Sequence, residues 1–364
     1  MGTPARTSSL GIRRTLRETH GPQGPWVFES RIPSPRIPHY HPGMQYRKFI
    51  RTGWSVSEIG YGMWGMAGWT GSEDRESFAS LDRAIELGCN FFDTAWAYGE
   101  GHSERLLGET LRRHPGKRLY IATKIPPKNR KWPARPEYQL DDVYPADYIR
   151  EYTEKSLENI GVDTLDLQQL HVWNDRWASD ERWQRALASL KEQKLVRALG
   201  ISVNRFQPIN VLRALGTGLI DAVQVVYNTL DQNPEDELFP ACQEQGIAVI
   251  ARVPFDEGSL TGNLTANSSW PEGDFRNLYF HPENLKATLP RVERLRKVVP
   301  PGMTMPQMVL RHILHHPAVT TVIPGMRKLS HVEQNIGVSD GVRLPASLVE
   351  ELKDHRWERT VDWE

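Results

Sequence analysis

A chain of 364 residues with 39% hydrophobic and 25% charged side chains has enough apolar material for a sizeable core. Its 45 Lys and Arg balance 45 Asp and Glu, so no net field draws it to nucleic acid or to an anionic membrane. No run of about 18 apolar residues occurs, which argues against a helical membrane span. The two cysteines, Cys89 and Cys242, read as small buried hydrophobes of a reducing, cytoplasmic compartment, with a disulfide disfavoured but open.

Residues 1–43 differ from the rest. They carry Pro4, Pro22, Pro25, Pro33, Pro35, Pro38 and Pro42 and little hydrophobic periodicity, which predicts a disordered or loosely attached arm. Arg6, Arg13, Arg14 and Arg17 without an acid among them match the composition of an organelle transit peptide. A floppy tail, or a start placed too far upstream, explains them more simply. The arm has no apolar core of the kind a secretion signal needs. The ordered domain is expected over residues 44–364.

From Met44 the chain becomes regular. Tyr46 to Ile50 and Trp54 to Glu58, joined through Arg51-Thr52-Gly53, predict a β-hairpin. In Ile59-Gly60-Tyr61-Gly62-Met63-Trp64-Gly65-Met66, glycines alternate with large residues. This suits either a first strand approached closely by a ligand or a bulged strand without one. Helices are expected over Arg75 to Leu87, Ser103 to Arg113 with Ser103 as its cap, Ala146 to Ile160, Arg182 to Lys194, Gln207 to Leu215, Glu235 to Gln245, Leu289 to Val299, Pro306 to His315 and Ser330 to Val338. Between them fall strands over Asn90 to Thr94, Leu119 to Lys124, Thr164 to Leu170, Val196 to Ile201, Ala222 to Val226, Ile247 to Ala251 and Val319 to Ile323. Pro126 to Tyr144 and Pro254 to Asn284 remain as long loops. Roughly eight strand–helix units in alternation predict an α/β fold, a (β/α)8 barrel with the hairpin closing its bottom.

The polar residues that end these strands carry the chemistry. Phe91-Phe92 stops at Asp93, and Tyr98-Gly99 follows; another strand ends in Lys124, and a third runs into His171. Taken alone, Asp93 reads as a helix cap and Tyr98 as packing. In a parallel barrel, however, all strand carboxyl ends meet at one rim, so the four groups can converge on one site. A phenol beside an ammonium is a candidate proton donor. Its unperturbed pKa is about 10 and a nearby cation lowers it. Asp93 would keep Lys124 charged and oriented, and His171 would hold a substrate oxygen near Tyr98.

Phe92-Asp93-Thr94-Ala95 with Tyr98-Gly99, Ala122-Thr123-Lys124, Leu170-His171, Gly200-Ile201-Ser202, Gln224 with Tyr227-Asn228, and Ile323-Pro324-Gly325-Met326-Arg327 together resemble the aldo-keto reductases of the bacterial-type branch, from Tyr46 to about Trp357. The resemblance implies an NADPH-dependent oxidoreductase that reduces an aldehyde or ketone, or oxidises the alcohol, with Asp93, Tyr98, Lys124 and His171 as its catalytic tetrad. NADP rather than a Rossmann-bound dinucleotide fits the absence of a Gly-x-Gly-x-x-Gly after a first strand.

The resemblance also implies a cofactor seat. Ser202, Asn204 and Gln224 would hold the nicotinamide carboxamide, although Val203 interrupts the family's usual Ser-Asn pair. Met63, Trp64, Asp93, Tyr227, Pro254, Gly258 and Ile323 would line the cofactor. Gly325, Arg327 and Lys328 would hold phosphate at a helix start, Arg327 favouring the 2′-phosphate of NADPH over NADH. Gln334 and Asn335 would face the adenine.

One departure stands out. Arg252, in Ala251-Arg252-Val253-Pro254, takes the place of the family's aromatic nicotinamide neighbour, and a cation there would repel oxidised nicotinamide. Arg252 is therefore expected either to pair with Asp256 or Glu257, or to favour reduced cofactor. Trp64, Trp69, Trp96 and Trp173, with Tyr98 and His171, suggest a flat pocket for an aromatic or sugar-ring carbonyl. The quaternary state is expected to be a monomer or weak homo-oligomer. Two other readings stay open: an NADP-binding regulatory subunit resembling the potassium-channel beta subunits, and a sugar epimerase or eliminase using bound NADP.

Overall fold

The structure is a computed structural model that describes residues 43–68 and 73–359. The N-terminal arm up to residue 42, and Trp69, lie outside the described residues. Strands β1 (Tyr46–Phe49) and β2 (Trp54–Ser57) form the expected antiparallel hairpin. The following strands are β3 (Tyr61–Gly62), β4 (Phe91–Asp93), β5 (Tyr120–Ile125), β6 (Leu165–Leu170), β7 (Val196–Ser202), β8 (Ala222–Val226), β9 (Ala248–Arg252) and β10 (Val319–Val322). They make one eight-stranded parallel sheet in strict chain order. Bridges from Ile59 to Val322 and from Gly62 to Gly325 join its first edge to its last, so the sheet curls into a barrel.

Barrel closure explains the glycines of the first strand. A β-carbon on Gly62 would stand 2.6 Å from the Ile323 carbonyl oxygen. The close approach anticipated there is made by the chain itself at the seam, and the regular strand is only two residues long.

Inside the barrel the side-chain alternation of each strand builds layers. Phe91, Tyr120, Ala122, Leu167, Ala198, Ala222, Ala248 and Ile250 form the apolar interior, and Phe49 and Val56 of the hairpin join them. Phe49 lies 6.4 Å from the Phe91 ring and Trp54 lies 5.1 Å from Tyr120, both at strand starts. The hairpin therefore stoppers the amino end, where each buried large side chain contributes about 2 kcal/mol. Two residues further along, at the same parity, come Asp93, Lys124, Gln169, Gln224 and Arg252, joined by Ser202, which follows Gly200 on β7. The apolar plug below sets the depth of the polar layer above.

Most expected helices are present within a residue or two, among them Asp74–Glu86, Ala146–Ile160, Glu181–Glu192 and Met305–His315. Gly161 ends the second of these at a left-handed φ of 75°. Four details differ. Gly101, not Ser103, precedes the helix His102–Arg113; the Ser103 hydroxyl accepts from Thr94 at 2.8 Å and donates to the Met63 carbonyl, tying this helix to two strand ends. The helix expected over Gln207 to Leu215 shrinks to Leu212–Leu215, because Asn210 turns its amide onto the Trp173 carbonyl. The helix expected over Leu289 to Val299 starts earlier and runs Pro282–Val298, with Pro282 in its first turn and Pro290 inside it. A last helix, Ala346–Lys353, opens after Pro345 and was not anticipated. Cys89 and Cys242 are buried and unbonded to each other, with burial pushing both thiols up to about 12.

Candidate active site

Asp93, Lys124, Tyr98 and His171 meet at the carboxyl mouth of the barrel. The Lys124 ammonium, wholly buried, donates to Asp93 Oδ1 at 2.5 Å, to the Thr94 carbonyl at 2.7 Å and towards the Tyr98 hydroxyl at 3.4 Å. The other carboxylate oxygen, Asp93 Oδ2, accepts from Gln224 Nε2 at 2.7 Å and Gln169 Nε2 at 3.3 Å. A buried ion pair is costly unless its remaining lone pairs are satisfied. Here two neutral amides do so. Gln169 escaped the sequence reading, yet its parity with Leu165, Leu167 and His171, opposite to that of Asp166 and Gln168, was the available signal.

The His171 ring stands edge-on to Tyr98, with centroids 5.8 Å apart, and Trp132 stands edge-on to His171 at the same 5.8 Å. His171 Nδ1 is enclosed with no hydrogen-bond partner among the described residues. Such an orphaned polar atom is what a site awaiting a polar ligand leaves open.

The electrostatics correct one expectation. Burial pushes the Tyr98 phenol above its ordinary value; Lys124 pulls the other way and does not win. The phenol is thus held protonated. Burial opposes the charge on Lys124, but Asp93 and then Tyr98 more than offset it, so the ammonium persists above the usual lysine range. Burial, then Lys124 and Arg252, hold His171 well below the usual imidazole value, so the ring is neutral.

The other expected residues fall into three groups. At the mouth stand Ser202 and Gln224 on the inner faces of β7 and β8, Arg252 at the end of β9, and Trp64, 43% exposed, on the turn after β3. Trp96 is half-buried beside Tyr152, with the Arg130 guanidinium 4.7 Å from its ring centroid. At the seam stand Ile323, Gly325, Arg327 and Lys328, the last two just before the helix Leu329–Ile336 that carries Gln334 and Asn335. An added β-carbon on Gly325, or on Gly258 with its φ of 108°, would meet nothing within 4 Å. Space at a helix start flanked by two cations fits a phosphorylated ligand.

The third group lies elsewhere. Trp173 is fully buried, edge-on to Trp177 and Trp183, and donates to Asp175, so it is core and not pocket wall. Tyr227 turns its hydroxyl to Glu235 at 2.6 Å and packs on Phe239, away from the mouth. The Asn204 amide is spent within the protein, receiving the Trp173 N–H and donating to Ala134 and Gln207. Met63 is buried, its N–H bonded to the Asp93 carbonyl at 2.9 Å. Arg252, at the mouth, donates to the Val203 carbonyl at 3.1 Å, and of the two acids expected beside it Asp256 pairs with Arg359 and Glu257 with Arg205. Pro254 is buried next to Val253, whose φ of 54° is left-handed. Trp132, 36% exposed and edge-on to His171, escaped the sequence reading because its loop carries no pattern.

Comparison with known proteins agrees with this arrangement. A profile of the Aldo/keto reductase family matches residues 58–356. The chain is 30% identical over 316 residues to the uncharacterized oxidoreductase YqkF of Bacillus subtilis, covering 86% of this chain and 96% of that one. It is 29% identical over 314 residues to the NADP(+) aldo-keto reductase yakc of Schizosaccharomyces pombe, covering 82% and 88%. The solved glycerol dehydrogenase of Gluconobacter oxydans superposes with a TM-score of 0.71 at 24% identity, over 87% of this chain and 98% of the other, a likeness of fold. A closed barrel, a stoppered base and a match spanning most of its length place this chain in the aldo/keto reductase family of oxidoreductases.

Proposed function

We propose that this protein reduces a small aldehyde or ketone with NADPH, Tyr98 giving the proton to the carbonyl oxygen. The observation that carries the reading is the contact set of Lys124, which reaches Asp93, Thr94 and Tyr98 at once. NADPH, when bound, supplies the hydride. The remaining work falls to side chains of this chain. Tyr98 stays protonated through neutral pH, so it is ready to donate as negative charge develops on the oxygen. Lys124 stabilises the phenolate left behind, and Asp93, gripped by Gln169 and Gln224, keeps the ammonium in place. His171, neutral, offers one more hydrogen bond to orient the oxygen. Trp64, Trp96 and Trp132 give the entrance apolar walls, which suits a flat, ring-bearing carbonyl compound. Ser202 and Gln224 would receive the carboxamide, and Arg327 and Lys328 the 2′-phosphate, so NADPH should bind more tightly than NADH.

The test follows NADPH oxidation with a panel of aldehydes, quinones and keto-sugars. Wild type turns over at least one of them, and Tyr98→Phe loses about a hundredfold or more in rate while still binding NADPH. Full activity in Tyr98→Phe contradicts the acid role. Tight NADPH binding without turnover of any panel member moves the weight to a regulatory subunit.

A further inference from the structure

We infer that Ser103 is a positioning residue for the reaction: bonded to Thr94 and Met63, it holds the loop that presents Tyr98 to Lys124. The inference rests on the carbonyl-reductase reading above, because it concerns the same proton donor.

Tyr98 stands on the loop between β4 and the helix His102–Arg113. Its hydroxyl has to meet an ammonium that comes from another strand, β5. That meeting is the longest of the three Lys124 contacts, 3.4 Å against 2.5 Å to Asp93 and 2.7 Å to the Thr94 carbonyl. Hydrogen bonds weaken steeply as they stretch and tilt, so a small shift of the loop breaks this contact first.

Three bonds from one residue oppose such a shift. The Ser103 N–H donates to the Tyr98 carbonyl at 3.2 Å. Its hydroxyl accepts from the Thr94 hydroxyl at 2.8 Å and donates to the Met63 carbonyl at 3.3 Å. Both side-chain partners flank the ion pair. Thr94 gives its carbonyl to Lys124, and the Met63 N–H donates to the Asp93 carbonyl at 2.9 Å. The Thr94 N–H also donates to the Ala122 carbonyl on β5 at 2.8 Å, two residues before Lys124. Ser103 therefore joins the backbone of the phenol to the backbone around the carboxylate and the ammonium. It touches none of the reacting atoms and acts only through Tyr98 and Lys124.

Ser103 and Thr94 are wholly buried. Deleting one hydroxyl leaves its partner without a bond in a place closed to water, so the turn moves or carries that cost. The helix itself stays docked, because the next residue, Glu104, accepts from the Thr123 hydroxyl at 2.6 Å and from Asn159 at 2.8 Å. The expected damage is a misplaced proton donor in a folded protein.

The experiment follows NADPH oxidation in single and multiple turnovers, with para-nitrobenzaldehyde as the carbonyl probe. It compares wild type, Ser103→Ala, Thr94→Val, Thr94→Ser, and Ser103→Ala combined with Thr94→Val. Thr110→Val is the control, a buried hydroxyl of the same helix that bonds the Leu106 carbonyl at 2.9 Å. Ser103→Ala and Thr94→Val should each lower the single-turnover rate by about ten- to a hundredfold, the range a displaced reacting group produces. KM and the dissociation constant for NADPH should stay near wild type. Thr94→Ser, which keeps the hydroxyl, should keep most of the rate. The double variant should be little worse than either single one, since both delete the same bond. Thr110→Val should melt earlier and keep its rate. A Ser103→Ala that behaves like Thr110→Val overturns the inference. So does a parallel loss of rate and NADPH affinity, or a fully additive double variant. In each of these cases wild type still reduces the probe and the reductase reading stands. No turnover by wild type, with this probe and with the panel above, overturns the reductase reading and the inference with it.

Discussion

The two sides of the barrel mouth are built on opposite plans. On the β4–β6 side, three consecutive strand ends deliver Asp93, Lys124 and His171, and the short loop after β4 delivers Tyr98. Lys124 pairs with Asp93 on the neighbouring strand, and the amides of Gln169 from β6 and Gln224 from β8 reach the second carboxylate oxygen across the barrel. On the β7–β9 side the rim is held from far away. Arg359, near the chain's end and with a side chain only 2% exposed, pairs with Asp231 at 3.3 Å and Asp256 at 2.9 Å, and also donates to the Tyr279 hydroxyl. Arg205 pairs with Glu257. These anchors fix a segment in which Val253, Asp256 and Glu257 have left-handed φ values of 54°, 46° and 54°. Each such non-glycine residue costs about 1 kcal/mol or more, so the long-range ion pairs hold a backbone that would otherwise relax. The β4–β6 side is held by the barrel's own strands, and the β7–β9 side by a late segment of chain.

The strongest way to break this contrast is Lys124→Met. It removes the ammonium from beside Tyr98 and leaves Asp93 charged, buried and unpaired. A rate loss on the order of a thousandfold should accompany a stability loss of about 3–5 kcal/mol, read by turnover and by denaturant unfolding. Arg359→Ala should cost a similar 3–5 kcal/mol by stranding Asp231 and Asp256, yet single-turnover reduction at saturating NADPH should stay near the wild-type rate. Adding Asp256→Asn to Arg359→Ala should restore part of the stability. Equal catalytic damage from the two arginine and lysine variants would erase the distinction between the sides.

Acid probes the β7–β9 side differently. His312, buried against the Thr229 hydroxyl in the loop after β8, is lowered to about 4 from an ordinary value of 6.5, chiefly by burial. In that interval the unfolded chain binds a proton that the folded chain refuses, so stability is present above pH 6.5 and falls as pH drops towards 4. The loss approaches about 3 kcal/mol. Denaturant midpoints of His312→Gln should decline less steeply over the same interval. The smallest effects compare the two amides on Asp93. Gln224→Leu, at 2.7 Å, should cost about 1.5–3 kcal/mol, and Gln169→Leu, at 3.3 Å, less, both read as melting shifts and a weakened rate.

What could be read in advance follows the same divide. Strand alternation made the barrel and its stopper legible, and a polar residue ending each apolar run exposed Asp93, Lys124 and His171. Gln169 was readable only once the inward parity of β6 was counted. Trp173 was misread because its position after His171 looked like the rim, whereas it turns outward onto Trp177 and Trp183. The pairing of Arg359 with Asp256 leaves no local trace, since neither residue ends a strand or repeats with a period. For Tyr98 the sign itself was missed, because the sequence shows the neighbouring ammonium but not the depth of burial that outweighs it.

The central claim is that Tyr98, rather than His171, donates the proton. It is tested most directly by the pH dependence of single-turnover carbonyl reduction by NADPH-loaded enzyme. With Tyr98 raised above its ordinary value and His171 held neutral, the rate should be flat from about pH 6 to 9 and decline only beyond the usual tyrosine range near 10. A rate that falls through an apparent pKa of about 6 to 7, and does so equally in Tyr98→Phe, would assign the proton to the imidazole and contradict the account.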